Sequence, residues 1–399
     1  MELSSLIYLN EAIEKGKKVK PKIRVRSVPV EEALGLYASQ DIHSPKDFPP
    51  YDRSAVDGFA VSANDTISSS RLNPSIFKIV GDIAASSSSL TSLQRGEAAR
   101  INTGGPIPEG ADSVVMKEDA EDDGTSVRIF SPVRKFQNVS RRGEDLKMGM
   151  TILKKGTRVN PSHIAALIEC GVREINLFDI SIGILSTGDE LVSGLVANST
   201  QPFIKSLLES RGFTAKGYGA VPDDASAILD MIDRMEEDII IVTGGSGPGN
   251  TDLVPELISK NGRMVFRGLR IRPGRTTGLG ILKGRPIFMV SGLPVAAMIA
   301  VENVIFKLIA EWYGLSSEIE ALVSGKLDRS VVNPVGIRSF VRVKIVGMGN
   351  ETKIIPTRTT GSGVVYSIID SQGILEIEEN SEGVEAGEEV KVRLLRWFE

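Results

Sequence analysis

Cysteine is almost absent: the 399 residues contain one, Cys170. A single thiol forms no intramolecular disulfide and supplies too few ligands for a thiolate zinc site. Histidine is nearly as scarce, with only His43 and His163. That leaves little room for imidazole metal sites or a Ser-His-Asp triad. Each histidine reads as structural, His43 in a proline-rich turn and His163 opening a helical pattern after Pro161. Any bound metal is therefore expected to be a hard, oxygen-ligated cation, with Mg2+ foremost. No apolar run approaches the roughly 18–20 residues that cross a bilayer, and the N-terminus has no signal-peptide pattern. The expected location is cytoplasmic. With a net charge of only −4, electrostatics gives no reason to expect nucleic acid or an anionic membrane as partner.

What is present is an ordinary globular composition, 41% hydrophobic and 25% charged. The chain is too long for one core, so two to four domains are expected. Its organising stretch is 239–252, Ile-Ile-Ile-Val-Thr-Gly-Gly-Ser-Gly-Pro-Gly-Asn-Thr-Asp. The apolar run reads as a buried strand closed by glycines that let a ligand approach the backbone. A helix opening at Asp252 would aim free amides at an anion, the way phosphate sites are built. The loop lacks both GxGxxG and a Walker Gly-Lys-Ser/Thr, so neither of those nucleotide sites is supported. A strand-to-helix turn without a ligand is the other reading of the loop alone.

Along the chain, 3–15 and 30–38 show helical spacing, and 44–60 is an irregular loop displaying Asp52, Arg53, Ser54 and Asp57. From 61 to 135, short strands (76–80, 97–102, 113–116, 126–130) predict a small β domain. Residues 161–171 form a helix ending at Gly171. Between 180 and 312, strands 181–186, 213–219, 238–242, 264–268 and 286–290 alternate with helices 200–210, 224–236, 252–260 and 295–312. That alternation predicts a mostly parallel sheet with helices on both faces. The tail, 320–399, returns to strands at 340–346, 353–356, 364–369, 373–378 and 389–395. The fold class is thus multidomain α/β plus β.

Right-handed crossovers place the loops after parallel strands along one edge, where such sheets bind ligands. That edge collects Ser186-Thr187-Gly188-Asp189-Glu190, Pro222-Asp223-Asp224, the glycine loop with Asp252, Arg270 to Arg275, and Ser291-Gly292-Leu293-Pro294. Hydroxyls, acids for a cation and arginines for an oxyanion make a combined anion and metal site.

These stretches occur in one order with the loop 48–60, Thr103 to Asp112, Arg142-Gly-Glu-Asp145 and Gly361-Ser-Gly363. Together they resemble the molybdopterin molybdenumtransferases, the family of MoeA and the gephyrin E domain, over nearly the whole chain. The resemblance implies four domains: an elongated N-terminal α/β domain (1–44 and 137–175), an inserted small β domain (45–136), a three-layer molybdopterin-binding α/β domain (176–318) and a C-terminal β domain (319–399). It implies a homodimer, a molybdopterin adenylyltransferase upstream, and insertion of molybdate or tungstate into adenylylated molybdopterin with release of AMP, assisted by Mg2+. By motif match, Asp189, Glu190, Asp223 and Asp252 hold the cation. Asp57, Thr103, Asp145, Glu190 and Asp252 form the catalytic set, the first three reaching in from the other subunit. Thr187, Gly188, Gly244, Gly245, Arg272, Arg275, Ser291, Gly292, Arg342 and Ser362 contact the pterin, phosphate or oxyanion. Four departures fall in the pterin domain: a loop about three residues shorter after Gly292-Leu-Pro294, Gly247 for a usual serine, Ala197 for a usual acid, and Arg272-Pro-Gly-Arg275 for Lys-Pro-Gly-Lys. They keep open the alternative of a non-catalytic molybdopterin- or nucleotide-binding paralog, and a pyrophosphatase-type enzyme on a related α/β domain is a third reading.

Overall fold

The computed structural model describes residues 5–86, 92–244, 253–316, 320–347, 351–358, 361 and 363–395. Ile239–Thr243 shows no polar alternation, a pattern suited to a strand covered on both faces, and all five of its residues are buried. It lies third in a six-stranded sheet ordered Thr214–Val221, Ser181–Thr187, Ile239–Thr243, Arg285–Val290, Gly278–Leu282, Gly262–Arg267. The first four strands are parallel. The last two are antiparallel to their neighbours. Gly278–Leu282 was not among the expected strands. It hairpins into the next strand through Lys283 (φ 50°) and Gly284 (φ 78°), the two positive φ values of a tight hairpin turn.

Side chains alternate between two cores, as a strand's period of two requires. Ile239 and Ile241 face Leu208, Phe288 and Val304, whereas Ile240 and Val242 face Ile228, Ile232, Leu257 and Ile258. All seven residues of the helix Pro294–Ala300 are buried. It continues through a π-helical turn, Val301–Ile305, into Phe306–Tyr313.

The outer domain is built by outbound and returning chain. Arg24–Pro29 pairs with Glu174–Asp179, Ile42–His43 with Thr151–Leu153, and Arg53–Ser54 with Val139–Ser140, all antiparallel. These successive ribbons give an elongated domain and leave the intervening chain to fold as an insertion. That insertion is a six-stranded sheet centred on Glu97–Ile101 and Ser75–Ile83, with Phe59, Phe77, Val115 and Ile129 in its core. In the C-terminal domain, Arg338–Val346 pairs with both Lys353–Arg358 and Gly373–Ile377, and the remaining pairings close a ring of five strands.

Three sequence expectations are corrected. Residues 30–38 hold only a 3-10 turn, Val30–Glu32, because Gly35 turns at φ 80° and donates its N–H to Val159 O at 2.9 Å. Residues 364–369 contain a short helix, Tyr366–Ile369, outside the closed ring. The N-terminal helix Leu9–Gly16 packs on the α/β domain although the sequence groups it with the outer segment. Leu9 and Ala12 join that core, and Trp312 Nε1 donates to Gly16 O at 3.0 Å.

Candidate active site at the sheet edge

The ends of the parallel strands meet through glycines. Gly188, at φ 152°, donates to Val221 O at 3.1 Å, and any side chain there would strike the Glu190 carboxylate. Gly244, at φ 113°, lies so close to the first strand that a Cβ would stand 2.2 Å from Thr187 O. Gly292 packs against Gly244, and its carbonyl accepts from Thr200 Oγ1 at 2.6 Å. Thr187, Gly188, Gly244, Ser291 and Gly292 therefore line one small floor of backbone. Ser291 Oγ accepts from Leu293 N–H at 3.2 Å.

Acids stand over this floor. Asp189 Oδ1 accepts from Asp223 N–H at 3.2 Å. Asp223 Oδ1 and Thr187 Oγ1 are both buried without a geometrically sound hydrogen bond. Burial first, and then the negative charges of Asp189 and Glu190, push the Asp223 carboxyl above its usual range. The nearby Thr187 hydroxyl opposes the shift without cancelling it. Below the floor, Ser186 Oγ is hydrogen-bonded to Thr243 Oγ1 at 2.9 Å and donates to Asn198 Oδ1 at 3.2 Å.

The arginines are held by a different sheet. Ile271–Arg272 pairs in parallel with the C-terminal strand at Arg338 and Ser339. Arg272 Nη2 reaches Val332 O at 3.5 Å, while its Nε is buried without a hydrogen bond. Gly274 O accepts from Thr277 Oγ1 at 2.6 Å, which rigidifies the turn carrying Arg275. Arg270 is committed elsewhere, donating to Leu6 O and Tyr8 Oη. From the C-terminal domain, a side chain on Gly363 would come within 3.2 Å of Leu293, so Gly363 borders this edge. Arg342, expected to reach in, is instead 1% exposed inside its own sheet.

A second group stands on the inserted domain and its stem. Asp57 Oδ1 accepts from Thr103 N–H at 2.6 Å and from Thr103 Oγ1 at 2.8 Å. The Thr103 backbone bond, then its hydroxyl, hold the Asp57 carboxyl below its usual range. Arg142 N–H donates to Asp52 Oδ1 and its Nε to Asp47 Oδ2, each at 2.7 Å. Asp145 N–H donates to Phe48 O at 3.3 Å, so Asp145 rides in the turn that anchors this loop. Among the described residues no strand pairing joins Asp57, Thr103 and Asp145 to the sheet-edge group.

Gly245, Gly247, Asp252 and Ser362 lie outside the described residues. Among the described residues no three of His, Cys, Asp and Glu are arranged to hold a metal by themselves. Sequence reasoning missed Thr200 and Gln201. Their only signal was a polar cluster, Asn198-Ser-Thr-Gln201, at the start of a helix beside a strand end.

Three family models tile the chain: "MoeA N-terminal region (domain I and II)" over residues 7–171, "Probable molybdopterin binding domain" over 183–311, and "MoeA C-terminal region (domain IV)" over 324–395. A Methanocaldococcus jannaschii protein assigned to molybdopterin biosynthesis is 36% identical over 406 residues, covering 97% of this chain and 95% of its own. A molybdopterin molybdenumtransferase of Staphylococcus aureus is 29% identical, covering 99% and 97%. The crystal structure of a molybdopterin biosynthesis MoeA protein from Pyrococcus horikoshii superposes with a TM-score of 0.83 at 30% identity, covering 98% of this chain and 99% of that one. Similarity of this extent, spanning all the domains in one order, shows that the chain belongs to the MoeA family.

Proposed function

We propose that the chain is a molybdopterin molybdenumtransferase acting in molybdenum cofactor biosynthesis, as its Staphylococcus aureus relatives are named. In this reading the dithiolene sulfurs of adenylylated molybdopterin displace oxide, as water, from molybdate or tungstate and bind its molybdenum or tungsten, while water hydrolyses the phosphoanhydride and AMP leaves. The carrying observation is the glycine floor beneath an acid trio in which Asp223 Oδ1 and Thr187 Oγ1 are buried without a well-formed hydrogen bond.

Those orphaned oxygens fit a hard cation. Mg2+ is commonly held by one or two carboxylates together with substrate phosphates, so no three-acid cage is required of the protein. Asp223, with Asp189 and Glu190 and the motif-matched Asp252, would hold it, and when bound it neutralises charge on the phosphoanhydride. Gly188, Gly244, Gly245 and Gly292 let phosphate oxygens approach backbone N–H groups. Arg272 and Arg275 meet the oxyanion, with Ser291 and the motif-matched Ser362 assisting. Arg342 supports the C-terminal sheet from within. Asp57, Thr103 and Asp145 complete the site from the other subunit of a homodimer. A molybdopterin adenylyltransferase supplies the substrate, and the reaction is cytoplasmic.

The test is AMP release from adenylylated molybdopterin with molybdate and Mg2+ each present or omitted. Release that needs both, and that is lost in Asp57→Ala without loss of folding, is expected. Substrate binding with no AMP release under any metal condition refutes the assignment.

A further inference from the structure

The first two strands of the parallel sheet do not run in simple register. Ile184 stands opposite Gly217, but Ser186 stands opposite Ala220 and Thr187 opposite Val221. The Thr214–Val221 strand thus carries one extra residue, a bulge, with Gly219 at φ 74°. Ladder hydrogen bonds are interrupted at a bulge, and buried backbone groups left unmade cost about 1–3 kcal/mol each.

One side chain repairs the gap. Gln201, second residue of the helix Thr200–Ser210 and 8% exposed, inserts its amide between the two strands. Its Nε2 donates to Ile184 O at 3.1 Å and to Gly219 O at 2.8 Å, and its Oε1 accepts from Gly219 N–H at 3.1 Å. Both amide protons and the carbonyl oxygen are thereby used. A Cβ at Gly217 would stand 2.8 Å from Oε1, so the strand accommodates the amide by having glycine there.

The consequence is at the sheet edge. Without the extra residue Thr187 would face Ala220, every later side chain would change face, and Asp223 would sit about 3.3 Å farther along. With it, Val221 O accepts from Gly188 N–H at 3.1 Å and Asp223 N–H reaches Asp189 Oδ1 at 3.2 Å. We propose that Gln201 is a positioning residue: its amide holds the bulge at Gly219 and so sets the Asp223 carboxylate beside Thr187 and Asp189. The inference rests on the preceding reading only where it assigns Asp223 to the cation; the register role stands on geometry.

Gln201→Leu keeps the approximate volume and removes these three bonds together with a longer one from Nε2 to Ser186 Oγ at 3.5 Å. Two readouts separate the possibilities. Hydrogen exchange over 217–223, which requires no substrate, is expected to accelerate at least tenfold relative to the rest of the sheet. In AMP release, the Mg2+ concentration for half-maximal rate is expected to rise by about tenfold or more, as for loss of an outer-shell support, with kcat at saturating Mg2+ changed far less. The double variant Gln201→Leu/Asp223→Asn is expected to be no worse than Asp223→Asn alone. Gly219→Ala, whose Cβ meets nothing within 4 Å but must hold φ 74°, disturbs the bulge independently and should show the same pair of changes if Gln201→Leu fails to fold. Unchanged exchange over 217–223 in a folded variant overturns the proposal, as does full additivity in the double variant. If no form releases AMP while exchange still accelerates, the transferase reading fails and the register role survives.

Discussion

Glu302 ties the C-terminal domain to the α/β domain, and neutralising it is expected to loosen that junction. Its side chain is 7% exposed in the π-helical turn Val301–Ile305. Oε2 receives Arg211 Nη2 at 2.8 Å and Arg393 Nη1 at 3.2 Å, from side chains 12% and 18% exposed. Arg393 also donates to Asn303 Oδ1 at 3.3 Å, and Arg211 lies over the Phe306 ring at 4.3 Å. Hydrogen bonds to charged groups contribute about 1.5–3 kcal/mol each, and neutral ones roughly half that. Glu302→Gln keeps the shape and one acceptor but removes the counter-charge of both arginines, a loss of about 1.5–3 kcal/mol, the size of one hydrogen bond to a charged group. Full removal of a buried partner, as in Glu302→Leu, is expected to cost about 3–5 kcal/mol, because two arginines are left uncompensated. For a cooperative unit of about 150–250 residues, the glutamine variant should melt roughly 3–12 °C lower. Calorimetry measures this, and Glu302→Gln/Arg393→Gln should lose less than the sum of the single losses. A melting temperature within about 1 °C of the parent, or strict additivity, would refute the claim that this carboxylate binds the domains together.

His163 and Asp223 give two further expectations. His163 closes a capping box, its N–H donating to Asn160 Oδ1 at 3.0 Å and its Nδ1 accepting from Asn160 N–H at 3.2 Å; His163→Ala should cost about 0.5–1 kcal/mol by denaturant melting and leave AMP release unchanged. Burial lowers the His163 pKa from 6.5, so the stability this neutral ring contributes is complete above that value and lost as pH falls through the window below it, a slope His163→Ala should lack. Asp223 has the opposite sign: its pKa is raised above 3.8 by burial and by its acidic neighbours. Its contribution is present below that ordinary value and is lost as pH rises through the raised one, so Asp223→Asn should gain relative to the parent at neutral pH without Mg2+. Added Mg2+ should raise the melting temperature of the parent and not of Asp223→Asn; an equal rise in both would remove Asp223 from the cation site.

What was legible in the sequence was what depends on neighbours along the chain. An apolar run without alternation, closed by Thr-Gly at 187–188 and again at 243–244, announces a doubly covered strand and the loop that follows it, and both strands are found there. Topology then did the rest, because parallel strands must return through helices and bring their ends to one edge. What was not legible depends on partners distant in the chain. Trp312 meets Gly16 across 296 residues, a contact with no local signature, so the packing of the first helix on the α/β domain could not be read from the sequence. Arg342 reads like a ligand-binding cation, yet its strand faces it inward to 1% exposure, and nothing in an isolated Phe-Val-Arg-Val fixes which face of a closing sheet is inside. Gln201 is the sharpest case. A lone glutamine in the first turn of a helix is ordinary, and it becomes informative only once the two strands behind it are known to be out of step. The family motifs point to the residues proposed to meet substrate. The residues that put those motifs in register are bound to backbone, so they show as single polar side chains, and only the pairing pattern of the sheet exposes them.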